Sequence, residues 1–242
     1  DSSTSRGLGD VYKRQTLRNA RGGDFPSVTE AAVKIQEFGA QGITIHPRPD
    51  ERHITRKDVY DLKPLVYTEF NIEGNPHRSF IDMVLDVKPE QVTLVPDADD
   101  AITSNAGWDC KKHQDFLKEV ISEFKNAGIR TSIFLDPNPE MVEYAAATGT
   151  DRIELYTEAY AKEYLTDKEA AIKPYYETAL KATEYGLGIN AGHDLSLENL
   201  KYFAENIPNL LEVSIGHALI GEALYMGMEN TVQAYLKRLA VW

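Results

Sequence analysis

Two hydrophobic periods alternate along the chain. Short β-branched runs such as Gly42-Ile43-Thr44-Ile45-His46 and Gln91-Val92-Thr93-Leu94-Val95 have the length and composition of buried strands. Between them, apolar residues recur at helical spacing, as in Ala31, Ala32, Ile35 and Phe38, or Phe116, Val120, Ile121 and Phe124. The pattern predicts strands at 42–46, 69–72, 91–95, 130–135, 151–156, 187–191 and 211–215, each followed by a helix. Ser27 stands at capping-box spacing from Glu30 and Thr55 can cap a short helix through Leu62, while Gly39, Gly128 and Gly186 are stops. A glycine break near Gly227 divides the last helical stretch, 218–239. Segment 97–107 is polar and long for a connection, which suits a loop that covers substrate or a plain surface insertion.

Seven strand–helix pairs in regular alternation argue for a parallel sheet buried by helices. A closed barrel needs an eighth strand, in first place, and residues 1–15 show no strand or helix period there. They are polar and glycine-bearing and read as disordered. The expected fold class is therefore α/β: a single (β/α)8 barrel over 16–242 with extra helices and a doubtful first strand. A doubly wound sheet is the alternative, but no Gly-x-Gly-x-x-Gly closes a first strand.

Composition narrows the function. A chain of 242 residues, 42% of them hydrophobic, suffices for one large α/β domain. The formal net charge of −12 argues against nucleic-acid partners, so an anionic substrate would need local cations. Arg18, Arg21, Arg48, Arg52 and His53 supply them from two loops. Cys110 is the only cysteine, which excludes an intrachain disulfide. No apolar run approaches the roughly 20 residues that span a bilayer, and no signal-peptide core is visible, so a cytoplasmic protein is expected.

The chemistry gathers at strand ends. In a (β/α)8 barrel catalytic groups come from the carboxyl ends of strands, where His46, Glu73, His193 and His217 all fall. Any one histidine is as readily a packed or solvated side chain; three together with a glutamate point to general acid–base work. A zinc or iron site of His46, Glu73 and His193 is the competing reading, and it lacks any His-x-His or His-Glu-x-x-His spacing. Glu154 alternates with Ile153 and Leu155, so it points into the barrel, as a reacting carboxylate or as an ion-pair partner of Arg152. Gly192-His193-Asp194 and Gly216-His217 look like phosphate cradles, where glycine admits an anion to backbone N–H groups.

These residues resemble one family, the pyridoxine 5'-phosphate synthases of vitamin B6 biosynthesis. The matching pieces are Thr16 to Gly22, Gly42 to Arg48, Arg52-His53-Ile54, Phe70-Asn71-Ile72-Glu73, Leu94-Val95-Pro96, Ile153-Glu154, Asn190 to His193 and Ile215 to Ala218. The resemblance implies a homo-octamer of (β/α)8 barrels with extra helices, small phosphorylated substrates, and no metal or organic cofactor. It implies condensation of 1-deoxy-D-xylulose 5-phosphate with 3-amino-2-oxopropyl phosphate to pyridoxine 5'-phosphate, phosphate and water. By position, His46 and Glu73 would be proton acceptors, His193 a proton donor and Glu154 a transition-state stabiliser. Arg48, His53 and Thr103 would hold the deoxyxylulose phosphate, and Arg21, Asp194, Gly216 and His217 the amino-ketone phosphate. Asp194 stands where some members have glycine, which favours a backbone contact there.

The resemblance breaks ahead of Thr16. The family's first strand carries a Val-Asn-Ile-Asp/Asn pattern, whereas this chain has Gly9-Asp10-Val11-Tyr12-Lys13-Arg14-Gln15. Residues 1–15 are therefore expected to be foreign, from cloning or sequence assembly, and to replace the native strand; otherwise Asp10 to Gln15 pairs as a poor strand. Two other functions stay open at this point. One is a phosphosugar isomerase or aldolase, although no predicted strand carries a Schiff-base lysine. The other is a phosphometabolite-binding barrel without turnover.

Overall fold

The seven expected strands form, and an eighth completes the ring. The computed structural model describes residues 6–10, 25–96 and 106–240. The strands are β1 (Arg6–Asp10), β2 (Gly42–Ile45), β3 (Glu69–Gly74), β4 (Gln91–Leu94), β5 (Arg130–Leu135), β6 (Arg152–Tyr156), β7 (Gly188–His193) and β8 (Leu210–Ile215). All pair in parallel in chain order, and β8 pairs with β1, closing the barrel.

The strand Arg6–Asp10 corrects the expectation that residues 1–15 hold no strand. Leu8 pairs with Gly42 on one side and Ser214 on the other, and Gly9 with Ile43 and Ile215. A strand between two neighbours needs only its N–H and C=O groups, so Gly7 and Gly9 complete the ladder without an apolar alternation to betray it. Of the expected alternative, Asp10 alone falls in the strand; residues 1–5 and 11–15 lie outside the described residues.

Ten helices among the described residues surround the ring. They are α1 (Val28–Glu37), α2 (Arg56–Leu62), α3 (Arg78–Val87), α4 (Gln114–Asn126), α5 (Pro139–Ala147), α6 (Glu158–Glu163), α7 (Lys168–Glu184), α8 (Leu200–Asn206), α9 (His217–Met226) and α10 (Met228–Leu239). The Ser27 side chain accepts from the Glu30 N–H, and Thr55 forms a reciprocal capping box with Asp58. Gly227, at φ 78°, separates α9 from α10 as the sequence suggests. One expected core residue is misplaced: Phe116 is 43% exposed, and Leu117 takes its place inside. Helix α4 starts at Gln114 rather than near 109, and the Phe116 ring lies 6.3 Å from Trp108 instead.

The strands' outward residues, among them Ile43, Ile72, Val92, Ile133, Ile153 and Val213, are fully buried against the helices. Their inward neighbours are polar. At the amino-terminal end of the barrel Glu212, 1% exposed, accepts from Arg152 at 2.5 Å, Asn190 at 3.0 Å and Gln91 at 3.3 Å. Arg130 joins through Gln91 at 2.9 Å and an ion pair with Glu69. Two arginines and two glutamates balance in charge there, as buried ions must. They plug the floor of the barrel, which leaves the opposite end for chemistry.

Candidate active site

The mouth is built from residues at or just beyond the carboxyl ends of the strands. His46 comes directly after β2, Glu73 lies in β3, Glu154 in β6 and His193 ends β7; Gly216 succeeds β8 and caps α9, whose first residue is His217. Parallel strands put all of these carboxyl ends on one rim. Arg21 and Thr103, and with them most of the loop 97–107, lie outside the described residues.

His46 is 8% exposed, with Nδ1 3.9 Å from Oε2 of Glu73. Burial pushes its pKa down to about 3, helped by the charges of Arg48, His53 and His193. Near pH 7 the imidazole is therefore neutral, and its contact with Glu73 is not an ion pair. A neutral ring beside a carboxylate carries a lone pair that can take a proton from a bound substrate. Arg48 is buried in the loop after β2 and His53 half-buried farther along it. A cavity of about 140 Å³ opens beside them, lined by His46, Arg48, Arg56, Asn75 and His77.

Glu154 is 2% exposed. Its Oε2 lies 3.4 Å from the Thr93 hydroxyl, which is 3.2 Å from Oδ1 of Asn71; the Asn71 amide in turn donates to Thr44 at 3.4 Å. Arg152, the expected structural partner of Glu154, turns to Glu212 in the floor. A Cβ on Gly192 would come within 2.5 Å of Glu154 Oε1, so this glycine gives the carboxylate room.

His193 sits at φ 107°, a conformation that side-chain-bearing residues seldom adopt. Its ring meets Tyr156 edge-on at 4.9 Å, and its Nδ1 lies 2.9 Å from Oδ2 of Asp194. The cradle expected at Gly192-His193-Asp194 does not open a helix, because α8 begins only at Leu200. The second cradle has the expected form: α9 starts at His217 with no acidic residue in its first turn, so its N–H groups and dipole favour an anion.

Sequence reasoning passed over Thr93, Asn71, Tyr156 and Thr157, which hold Glu154 and the turn at His193. The signal was present for the first two, since a polar residue amid Val92 and Leu94, or Phe70 and Ile72, marks the inward face of a strand. Elsewhere, burial and nearby Asp109 push the Cys110 thiol up to about 12, away from nucleophilic use. Among the described residues no three His, Cys, Asp or Glu side chains gather as metal ligands, and no helix is long and apolar enough to cross a membrane.

Known proteins resemble this chain in sequence and in fold. The family described as "Pyridoxal phosphate biosynthesis protein PdxJ" matches residues 10–241, starting ahead of Thr16. The pyridoxine 5'-phosphate synthase of Christiangramia forsetii is 65% identical over 230 residues, covering 95% of this chain and 97% of its own. That of Bacteroides fragilis is 62% identical over 226 residues, covering 93% and 95%. The phosphoribosyl anthranilate isomerase structure from Thermotoga maritima superposes with a TM-score of 0.61 at 12% identity, covering 97% of this chain and 98% of its own, a likeness of fold alone. With its closed barrel, its rim of histidines and glutamates, and relatives this similar over nearly their whole length, the chain belongs to the PdxJ family of pyridoxal phosphate biosynthesis proteins.

Proposed function

We propose that the chain is a pyridoxine 5'-phosphate synthase, joining 1-deoxy-D-xylulose 5-phosphate to 3-amino-2-oxopropyl phosphate and releasing phosphate and water. The observation that carries this reading is identity of 65% across 95% of the chain to a synthase of that name. Joining an amine to a ketone, shedding water and phosphate and closing an aromatic ring takes several proton transfers between two held phosphates. Neutral His46 suits a proton acceptor, Glu73 a second one, and His193 a donor. Glu154, buried and fixed through Thr93, suits the stabilisation of charge that develops in the transition state. Arg48 and His53, with Thr103, hold the deoxyxylulose phosphate. Gly216 and His217, with Arg21, hold the other phosphate at the start of α9. Asp194 completes that set in its expected role.

The working enzyme in this reading is a cytoplasmic homo-octamer without metal or organic cofactor. Incubation with both phosphates tests it: the pyridoxine chromophore and free phosphate should appear together. Binding without product would instead make the chain a phosphometabolite-binding barrel. An aldolase using a Schiff base is disfavoured, since none of the eight strands carries a lysine.

A further inference from the structure

The resemblance assigns Asp194 a backbone contact to phosphate, yet its surroundings give it other work. Its N–H points to the Thr157 hydroxyl at 3.4 Å, and its C=O accepts from Asn199 Nδ2 at 3.3 Å. Its side chain is anionic, and a carboxylate beside a phosphate raises the energy of both. Its oxygen instead lies 2.9 Å from His193 Nδ1.

Consecutive strand residues point to opposite faces, so neighbours 193 and 194 should not meet. They meet because His193, the last residue of β7, takes φ 107° and turns the chain. Fully buried Thr157 pins that turn: its N–H and hydroxyl both bond the Gly192 carbonyl, at 3.1 Å and 2.8 Å. Tyr156 closes one side of the imidazole with its ring edge-on at 4.9 Å. Strain held from several sides at a reacting group marks a place where geometry matters.

We propose that the Asp194 side chain is a positioning group that fixes the tautomer and direction of His193, a role separate from the backbone contact expected of this residue. A carboxylate can only accept, so the His193 ring carries its hydrogen on Nδ1, which leaves Nε2 for proton transfer. When His193 is protonated, the same carboxylate stabilises the imidazolium, and Nε2 gives up the proton. The inference rests on His193 being the proton donor of the proposed synthase.

The test pairs histidine 15N NMR of the substrate-free, full-length protein with steady-state kinetics of Asp194→Gly, and of Asp194→Asn should the first variant not fold. In the parent the His193 ring should report hydrogen on Nδ1, and in the variants that preference should weaken. The variants' kcat should fall on the order of 10-fold, short of the ~100-fold that loss of the acid itself brings, with KM for 3-amino-2-oxopropyl phosphate unchanged. Hydrogen on Nε2 in the parent, an unaltered kcat, or a raised KM at constant kcat would each overturn the proposal. If the parent makes no product, the synthase reading fails, while the ring signals still decide whether Asp194 sets the tautomer.

Discussion

Gly192 of β7 lies so close to the Glu154 side chain of neighbouring β6 that a Cβ on the glycine would stand 2.5 Å from the carboxylate Oε1. Gly192→Ala must therefore displace Glu154. Because the strand's own backbone cannot yield cheaply, turnover should fall at least ~10-fold and stability by about 1–3 kcal/mol, the cost of an overpacked methyl group. Steady-state rates and urea melts measure both, and a full rate would show that the position of Glu154 does not matter.

His193→Ala and Glu73→Gln should each lower kcat at least ~100-fold, the scale of losing a positioned acid or base. Circular dichroism should be unchanged, since both side chains lie at the rim and outside the apolar core. Near-normal rates in either variant would remove it from the proton-transfer set.

His46 carries a pH signature. Its folded pKa of about 3 lies below the ordinary histidine value of about 6.5, so the unfolded chain binds the extra proton between those values. Its contribution to stability is full above about pH 6.5 and is lost as pH falls toward 3. Between about pH 6.5 and 4 the parent should therefore lose more stability than His46→Gln, measured by chemical unfolding at matched ionic strength. Equal losses would place the His46 pKa near its ordinary value.

The floor of the barrel should answer to stability rather than rate. Glu212→Leu takes from Arg152 its buried counter-charge and from Arg130 one of two, and should cost about 3–5 kcal/mol. The folded fraction should keep its kcat, because this layer is at the end opposite the mouth. A kcat loss beyond the unfolded fraction would mean that the floor network reaches the reacting groups.

Most of the barrel was legible because seven strands bury an apolar face, and an apolar face leaves a pattern. Ile43 and Ile45, or Ile153 and Leu155, announce their strands and also expose the odd residue between them, which is how Glu154 was found. The supporting contacts were not legible for a different reason. The bond between Asp194 and His193 depends on one unusual φ, and no hydrophobic period records a dihedral angle. Gly192 was visible, but its closeness to Glu154 was not, because a glycine that admits a phosphate and a glycine that admits a carboxylate look alike in sequence.

The strand Arg6–Asp10 has a consequence for how the barrel tolerates change. It joins the ring by main-chain bonding to β2 and β8, in a stretch that is two-fifths glycine. That stave is thus specified by its neighbours' exposed edges more than by its own letters. Substitutions along it should be forgiven where they keep an extended backbone, while a proline at Leu8 should split the cask open, leaving two long hydrophobic edges free to find other chains.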